Sequence, residues 1–182
     1  MSSLSAHELT VTSVRLSDPL TLPLLRELEH EYTSRYGAAA NGEMSRYPEA
    51  EFAPPDGLLL LLLHEGNAVA GGAYRRYDAH TAELKRIWTH SAHRRQGLAR
   101  RVVAELERAA ARHYRRIRLT TGPRQPEARL LYLDSGYTPL FDVTADPETL
   151  PYLPFEKHLV PAPPVPHHDQ RRSDRSYRPE AP

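Results

Sequence analysis

The stretch Arg94-Arg95-Gln96-Gly97-Leu98-Ala99 links a strand-like segment, residues 82–89, to a helix-like segment, residues 98–113. A glycine at such a turn lets the backbone approach an anion closely, and the helix that follows offers unpaired N–H groups at the positive end of its dipole. Arginines on both sides of the glycine can bind phosphate oxygens in a bidentate manner. The stretch therefore predicts a pyrophosphate-binding loop, and a solvated, arginine-rich helix start is the alternative.

The segments after this loop predict a helix packed on a sheet. Apolar residues at helical spacing form one stripe, which comprises Leu98, Val102, Leu106, Ala109 and Ala110. Residues 117–121 then alternate as a strand. Pro126 suits the first position of a further helix, and Gly136 suits the position just past its end.

The N-terminal segment predicts a strand followed by a helix. Residues 9–16 alternate apolar and polar side chains. Asp18 or Thr21 can cap a helix that ends before Gly37. Residues 38–56 are irregular, and a loop of that length inside a domain is usually functional or disordered.

A run of leucines predicts a buried strand. Six consecutive leucines occupy positions 58–63, and residues 68–77 follow after a short turn. This pattern predicts a hairpin whose first strand is buried on both faces. Residues 137–140 and 152–159 predict the last two strands.

The strand before the loop changes its alternation partway along. Ala82 and Leu84 share one phase of the pleat, whereas Ile87 falls in the other phase. Such a change predicts a β-bulge, which leaves backbone N–H groups unpaired. The alternative is that Lys85 and Arg86 end the alternation at the edge of a strand.

Two further segments follow, Gln125-Pro126-Glu127-Ala128 and Leu131-Tyr132-Leu133-Asp134-Ser135-Gly136-Tyr137. The order of all these segments resembles the GNAT superfamily of acetyl-CoA-dependent N-acetyltransferases. The resemblance covers about residues 11–159 and is strongest over residues 83–137. It implies an α/β (α+β) fold with a mixed, mostly antiparallel central sheet, a splayed and bulged central strand, and flanking helices. It also implies transfer of an acetyl group from acetyl-CoA to a primary amine.

The resemblance assigns a set of residues to acetyl-CoA. Backbone amides near Trp88 and Thr89 would hydrogen-bond the pantetheine arm and polarise the thioester carbonyl. Gln125 takes the place of an asparagine that usually contacts the pantetheine. The complete set implied is Ile87, Trp88, Thr89, Arg94, Arg95, Gln96, Gly97, Leu98, Ala99, Arg100 and Gln125.

The resemblance assigns Tyr132 to the leaving group, as a hydrogen-bond donor to the cofactor sulfur. A phenol titrates near pH 10 and an alkyl thiol at about 8.5, so a hydrogen bond is favoured over complete proton transfer. The alternative for Tyr132 is a core residue of a short helix, because tyrosine at helical spacing is usually a packing residue.

Glu83 is the candidate general base, acting directly or through a water, since acidic residues often lie at this place in the resembling family. Pairing with Lys85 or Arg86 as a sheet-surface charge is the alternative. His80, His90 and His93 are rival candidates because they lie nearby in the sequence.

The acceptor is expected to be a small-molecule amine or a peptide amine. Acidic residues in the presumed lining segments could attract a cationic amine, and these are Glu43, Glu49, Glu51, Asp142, Asp146 and Glu148. Each of them is otherwise a solvated loop charge. Two features depart from the family pattern. Ser91 stands where the family often has proline, and residues 142–151 form an acidic stretch. These departures leave the identity of the acceptor undetermined.

Composition excludes several classes of protein. The chain of 182 residues has no cysteine, which excludes disulfides, thiolate metal sites and an acyl-cysteine intermediate. No metal is therefore expected, and the adjacent pair His167-His168 is a poor ligand set. The formal net charge of +1 gives no footprint for a nucleic-acid partner.

No membrane partner is expected, and the cytoplasm is the expected location. The first ten residues lack the pattern of a secretory signal, and the longest apolar run, at 58–63, is too short to span a bilayer.

We expect one acetyltransferase domain over residues 1–160 and a disordered, proline-rich tail over residues 161–182. An exposed last strand could pair across a homodimer.

Two other functions compete with acetyl transfer. One is a non-catalytic acyl-CoA-binding regulatory domain of the same fold. The other is a nucleic-acid-binding module on the arginine-rich segment, which Glu105 and Glu107 interrupt.

Overall fold

The computed structural model describes residues 8–37, 42 and 44–160. The tail predicted at 161–182 and part of the loop predicted at 38–56 lie outside these residues. The strands are β1 (Leu9–Ser13), β2 (Leu58–His64), β3 (Asn67–Arg76), β4 (Thr81–Thr89), β5 (Arg116–Thr121), β6 (Thr138–Pro139) and β7 (Leu153–His158). The α-helices are α1 (Leu22–Tyr36), α2 (Leu98–Ala110) and α3 (Pro126–Asp134).

The described strands form one sheet in the order β1-β2-β3-β4-β5-β7-β6. Its pairings are antiparallel except that of β4 with β5, which is parallel and is joined through α2. Helices lie on both faces of the sheet. The predicted fold class, a mixed and mostly antiparallel sheet with flanking helices, is therefore confirmed.

The leucine run forms the buried strand that its pattern predicts. Leu60 and Leu62 face the core beneath α2, whereas Leu61 faces α1 together with Trp88. Because helices cover both faces, this strand has apolar side chains in both phases of its pleat. Burial of these side chains on both faces stabilises β2, which lies next to the edge strand β1.

Gly72 allows α2 to pack closely against the sheet beside β4. A Cβ atom at this position would lie 2.6 Å from Ile87 Cδ1 and 2.9 Å from Val102 Cγ1. Both distances are below van der Waals contact, so any larger residue would push α2 or β4 outward. The small residue therefore brings the N-terminal part of α2 close to the bulged strand.

The bulge predicted in β4 is present. Gly71 pairs with Trp88 and Ala73 pairs with Lys85, so two steps along β3 correspond to three steps along β4. Arg86 lies within this irregularity with φ of 59°. The alternative, in which the strand ends near Arg86, is wrong because β4 continues to Thr89.

Several predicted boundaries are wrong. Helix α2 ends at Ala110 rather than 113, because the chain turns through Tyr114, whose N–H donates to Ala110 O, to enter β5. The strand predicted at 9–16 ends at Ser13, and the strand predicted at 137–140 is only Thr138–Pro139.

The last strand is not exposed at the edge of the sheet. β7 lies between β5 and β6, so both of its edges are already paired. The prediction that an exposed last strand could pair across a homodimer is therefore wrong, because this strand is not exposed. The edges of the described sheet are β1 and the two-residue β6. A homodimer itself stays a prediction.

Candidate active site

A cleft opens where β4 and β5 separate. The two strands pair only from Thr81–Glu83 to Arg116–Arg118, and beyond these residues β5 pairs with β7 alone. The cleft has a volume of about 660 Å³, within the range of small-molecule sites. The last residues of β4 have no strand partner on this side, so their backbone groups are left for a ligand.

The cleft gathers nearly all the residues that the resemblance assigns to acetyl-CoA. Those lining it are Ile87, Trp88, Thr89, Arg94, Arg95, Gly97, Leu98, Ala99, Arg100 and Gln125, together with Tyr132. Gln96 does not line the cleft, although its neighbours on both sides do. Glu83 does not line it either.

The loop before α2 has the backbone geometry of an anion-binding site. Arg95 and Gly97 both have positive φ, 62° and 75°, which turns successive N–H groups toward one concavity. No side chain caps the N-terminus of α2, so its first N–H groups remain open to a ligand. A Cβ atom on Gly97 would meet nothing within 4 Å. The donors and the open space fit a pyrophosphate.

The arginines of the loop differ in their contacts. Arg94 Nη2 lies 3.3 Å from Glu31 Oε2, and Arg100 Nη2 lies 3.0 Å from Asp134 Oδ2. Arg95 forms no ion pair within the part of the chain described. Because these side chains are exposed, such pairs are weak and can be exchanged for a phosphate.

Trp88 is anchored to α1 through Glu27. Its indole Nε1 donates to Glu27 Oε2 at 3.0 Å, and the same carboxylate accepts from the backbone N–H and hydroxyl of Ser91. Burial opposes the charge of Glu27, but these hydrogen bonds outweigh it and hold the pKa of the carboxyl below its usual value. Glu27 thus fixes the end of β4, and the local sequence around Trp88 gives no signal for this partner.

Thr89 lines the cleft, and its hydroxyl oxygen is buried without a hydrogen-bond partner among the described residues. Because this oxygen has almost no solvent-accessible surface, the cleft does not expose it to a ligand.

Tyr132 lies on α3 and is buried beside the cleft. Its ring packs against Tyr137 and Phe155, at centroid distances of 5.6 Å and 5.7 Å. Among the described residues no group hydrogen-bonds to its hydroxyl. Burial, with a smaller contribution from Tyr32, raises the pKa of the Tyr132 phenol well above its usual value. The phenol therefore stays protonated and can act as a donor.

Gln125 lies on the opposite wall, just before α3. Its Oε1 accepts from Thr121 Oγ1 at 2.9 Å and from the backbone N–H of Gly122 at 3.1 Å. Its Nε2 donates to Glu31 Oε1 at 3.3 Å. The amide therefore shapes the turn after β5 and connects this wall of the cleft to α1.

Glu83 is held by two cations away from the cleft. Its Oε2 lies 2.7 Å from Arg75 Nη2, and its Oε1 lies 3.5 Å from Lys85 Nζ. Its side chain is only 6% exposed. The pairing with Lys85 matches the alternative to general-base catalysis, while Arg75 is a partner that the sequence does not indicate.

The rival histidines do not line the cleft either. His90 Nε2 lies 3.6 Å from Glu27 Oε1, and its ring packs against Trp88 and His93. His80 is exposed in the turn before β4. His90 therefore belongs to the group that anchors Trp88.

Most of the acidic residues predicted near the acceptor contact other groups of the protein. Glu49 accepts from Ser17, Glu51 pairs with Arg75, and Glu148 pairs with Arg124. Asp142 and Asp146 accept from backbone N–H groups two residues ahead. Glu43 lies outside the described residues. These contacts favour the alternative of loop charges over a cation-binding cluster.

Two features are absent from the described residues. They contain no helix that is both long and apolar enough to cross a membrane. They also contain no group of three or more histidine, aspartate or glutamate side chains arranged to hold a metal ion.

Comparison with known proteins gives consistent matches. The family model described as the acetyltransferase (GNAT) family matches residues 23–137, more than half of the chain. An uncharacterised N-acetyltransferase of Bacillus subtilis (strain 168), YsnE, is 34% identical over 93 residues. That match covers 47% of this chain and 62% of the relative, so the chain spans less than two thirds of it.

Solved structures match over most of their length. A candidate acyl-CoA N-acyltransferase of Klebsiella pneumoniae shares 26% identity, with a TM-score of 0.63 over 84% of this chain and 98% of that protein. An aminoglycoside 6'-acetyltransferase type Ii shares 20% identity, with a TM-score of 0.62 over 85% of this chain and 99% of that one. At that identity the second match supports the fold alone. By its sequence match and its fold, the chain belongs to the acetyltransferase (GNAT) family.

Proposed function

We propose that this protein is an N-acetyltransferase that moves an acetyl group from acetyl-CoA to a primary amine, by direct attack within a ternary complex. The observation that carries the proposal is the cleft between β4 and β5, which has an anion-binding loop at one end and the Tyr132 phenol in its wall. A loop for phosphates and a donor for a leaving group are the two parts that such a reaction needs from one site.

Acetyl-CoA would be held by groups that the fold leaves open. The N–H groups around Gly97 and the first turn of α2 would bind the pyrophosphate, with Arg95 adding charge. Residues at the end of β4 would offer backbone groups to the pantetheine, opposite Gln125. When bound, acetyl-CoA supplies an acetyl group activated as a thioester.

The reaction develops negative charge at two atoms, and both charges need stabilisation. The thioester carbonyl gains negative charge as the amine attacks, and unpaired backbone N–H groups near Trp88 would donate to it. The departing sulfur gains negative charge as the carbon–sulfur bond breaks, and the Tyr132 hydroxyl would donate a hydrogen bond there. Because burial keeps this phenol protonated, it donates without losing its proton.

The amine must be neutral when it attacks, so its proton leaves before or during the reaction. Glu83 stays our proposed base, acting through water, because ion pairs with Arg75 and Lys85 hold it away from the cleft. Water alone is the alternative.

Thiol release tests the proposal directly. The protein is incubated with acetyl-CoA and a panel of polyamines, amino acids, aminoglycosides and lysine peptides, and free thiol is recorded with a chromogenic disulfide. The protein has no cysteine, so it adds no background. We expect thiol release with one class of amine. Tight binding of acetyl-CoA with no thiol release from any amine would favour the non-catalytic acyl-CoA-binding function instead.

A further inference from the structure

The carboxylate of Glu27 joins α1 to the chain on both sides of Thr89. Trp88, just before Thr89, donates from its indole Nε1 to Glu27 Oε2 at 3.0 Å. Ser91, two residues after Thr89, donates from its backbone N–H to the same oxygen at 3.0 Å and from its hydroxyl to Glu27 Oε1 at 2.9 Å. One side chain of a distant helix therefore holds the short segment that contains Thr89.

The backbone N–H of Thr89 points to the edge of β4 at which the cleft opens. The N–H of His90 donates to Val69 O at 2.9 Å, and Thr89 lies opposite Ala70 in the pairing with β3. In an antiparallel pair, residues that exchange hydrogen bonds alternate with residues whose N–H and C=O groups point to the other edge. On that edge the pairing of β4 with β5 ends at Glu83, so among the described strands none pairs with Thr89 there. The N–H therefore faces the cleft, which Thr89 lines.

The last residues of β4 need an anchor because they pair with a strand on one edge only. Segments with few partners open locally at a low cost in free energy. Hydrogen bonds to a carboxylate are stronger than those between neutral groups, so Glu27 opposes such opening. Its own backbone is fixed, because Leu24 and Leu28 of α1 are buried and pack in one cluster with Trp88. The anchor thus connects the end of β4 to a rigid part of the fold.

The position of this N–H matters because its proposed partner gains charge during the reaction. A donor that stabilises a developing oxyanion must lie about 2.7–3.1 Å from the place that the oxygen will occupy, and the loss of one such donor lowers kcat by about 100- to 1000-fold. A displacement of about 1 Å can lower the rate about 100-fold. A loosened end of β4 would therefore weaken catalysis even where acetyl-CoA still binds.

We propose that Glu27 is a positioning residue for the acetyl transfer, which holds the N–H of Thr89 toward the thioester carbonyl oxygen. This inference rests on the proposed function and adds a residue that does not line the cleft. In the reaction the amine nitrogen bonds to the acetyl carbon, and the carbonyl electron pair moves onto the oxygen that meets the Thr89 N–H. The pair returns as the carbon–sulfur bond breaks. The sulfur leaves as a thiolate and takes up, through solvent, the proton that the amine loses.

Glu27→Leu and Glu27→Gln separate loss of the anchor from loss of its charge. A glutamine oxygen can still accept from Trp88 and from the Ser91 N–H, and its amide can donate to the Ser91 hydroxyl, whereas leucine does neither. With saturating acetyl-CoA we expect kcat to fall at least about tenfold in Glu27→Leu and to stay within about threefold in Glu27→Gln. The Kd for acetyl-CoA should stay within about threefold in both.

Two further variants complete the series. Ser91→Ala removes one of the hydrogen bonds and keeps the others, so we expect a loss in kcat of about two- to fivefold, and this variant decides the question if Glu27→Leu does not fold. Glu29→Leu, at an exposed position of the same helix outside the cleft, is the control and should keep kcat. An unchanged kcat in folded Glu27→Leu, or in Ser91→Ala if that variant must decide, would overturn the inference.

Isotope-edited infrared spectroscopy provides a readout that needs no amine. Acetyl-CoA with ¹³C at the carbonyl carbon is bound to each variant, and a hydrogen bond to the carbonyl oxygen lowers its stretching frequency. We expect the frequency to be lower on the unaltered protein and on Glu27→Gln than on Glu27→Leu, with Ser91→Ala between them. Equal frequencies, even with a lower kcat, would show that Glu27 only supports the fold while acetyl transfer stands. No thiol release by the unaltered protein from any amine would reject the proposed function and this inference together.

Discussion

The carboxylate of Glu31, on α1, lies 3.3 Å from the guanidinium of Arg94, in the anion-binding loop. Glu31 also accepts from Gln125 on the opposite wall, at 3.3 Å. One side chain of α1 therefore joins the two walls of the cleft, and it occupies a cation that a pyrophosphate would otherwise use. The proposed binding of acetyl-CoA would then compete with an internal anion.

Glu31→Gln is expected to tighten the binding of acetyl-CoA. The change removes the negative charge that pairs with Arg94 in the loop proposed to bind the pyrophosphate. Since the pair is partly exposed, we expect an affinity gain of only about two- to fivefold. Calorimetric titration measures it, and Glu29→Gln on the same helix, outside the cleft, is the control. Weaker binding in Glu31→Gln would instead show that Glu31 supports the site.

Gly97→Ala is expected to weaken acetyl-CoA binding as well as the fold. A Cβ at this position meets no atom, but φ of 75° costs a residue other than glycine about 1 kcal/mol. A backbone shift that relieves this strain would misdirect the N–H groups of the loop, and the loss of one hydrogen bond corresponds to about tenfold in affinity.

Gly66→Ala is the matched control for that change. Gly66 has φ of 79° and equally open surroundings, but it lies in the turn between β2 and β3. Both variants should lose similar stability in thermal denaturation, and only Gly97→Ala should lose affinity. Equal affinity losses in the two variants would mean that destabilisation alone explains the effect.

Glu27 is expected to make stability depend on pH in the acid range. A carboxyl whose pKa is lowered by folding adds stability that is complete above its unfolded pKa and is lost as the pH falls through its folded pKa. Glu27→Gln should therefore lower Tm near pH 7, and the difference from the unaltered protein should shrink as the pH falls below the usual glutamate pKa of about 4.3. Glu65→Gln, in an exposed turn, is the control, and a difference in Tm that stays constant with pH would contradict the assignment.

Glu83→Gln tests both functions suggested for this residue. Arg75 would keep Glu51 as a partner but lose its nearer one, so we expect a loss of about 1–3 kcal/mol in the free energy of unfolding. As a base acting through water, Glu83 should also contribute to kcat, with no effect on the affinity for acetyl-CoA. A variant whose kcat matches the unaltered protein at every pH would remove Glu83 as the base and leave water.

Local patterns predicted much of the fold and most of the residues that line the candidate cleft. The phase change at Ile87 indicated the bulge, and Gly97 indicated the turn of positive φ before α2, because each depends on neighbours in the sequence. That this loop binds a pyrophosphate stays a prediction. The position of β7 inside the sheet was missed, since strand order depends on tertiary packing. Hydrogen-bond and ion-pair partners from distant segments could not be predicted for the same reason.

The partners that sequence reasoning missed come from distant segments. Arg75 reaches Glu83 from the neighbouring strand, and Glu27 reaches Trp88 from α1. The conformation of Arg86 was also hidden, because arginine has no preference for positive φ and only the surrounding fold imposes it. The acceptor side of the site depends on such contacts, so it could not be derived from spacing.

The phenol of Tyr132 tests most directly whether the cleft is a catalytic site. Tyr132→Phe removes only a hydroxyl, and Tyr152→Phe, on an exposed side chain, is its control. With the accepted amine and saturating acetyl-CoA, we expect kcat to fall by about 100-fold while the calorimetric Kd for acetyl-CoA stays the same. An unchanged kcat in Tyr132→Phe would contradict it.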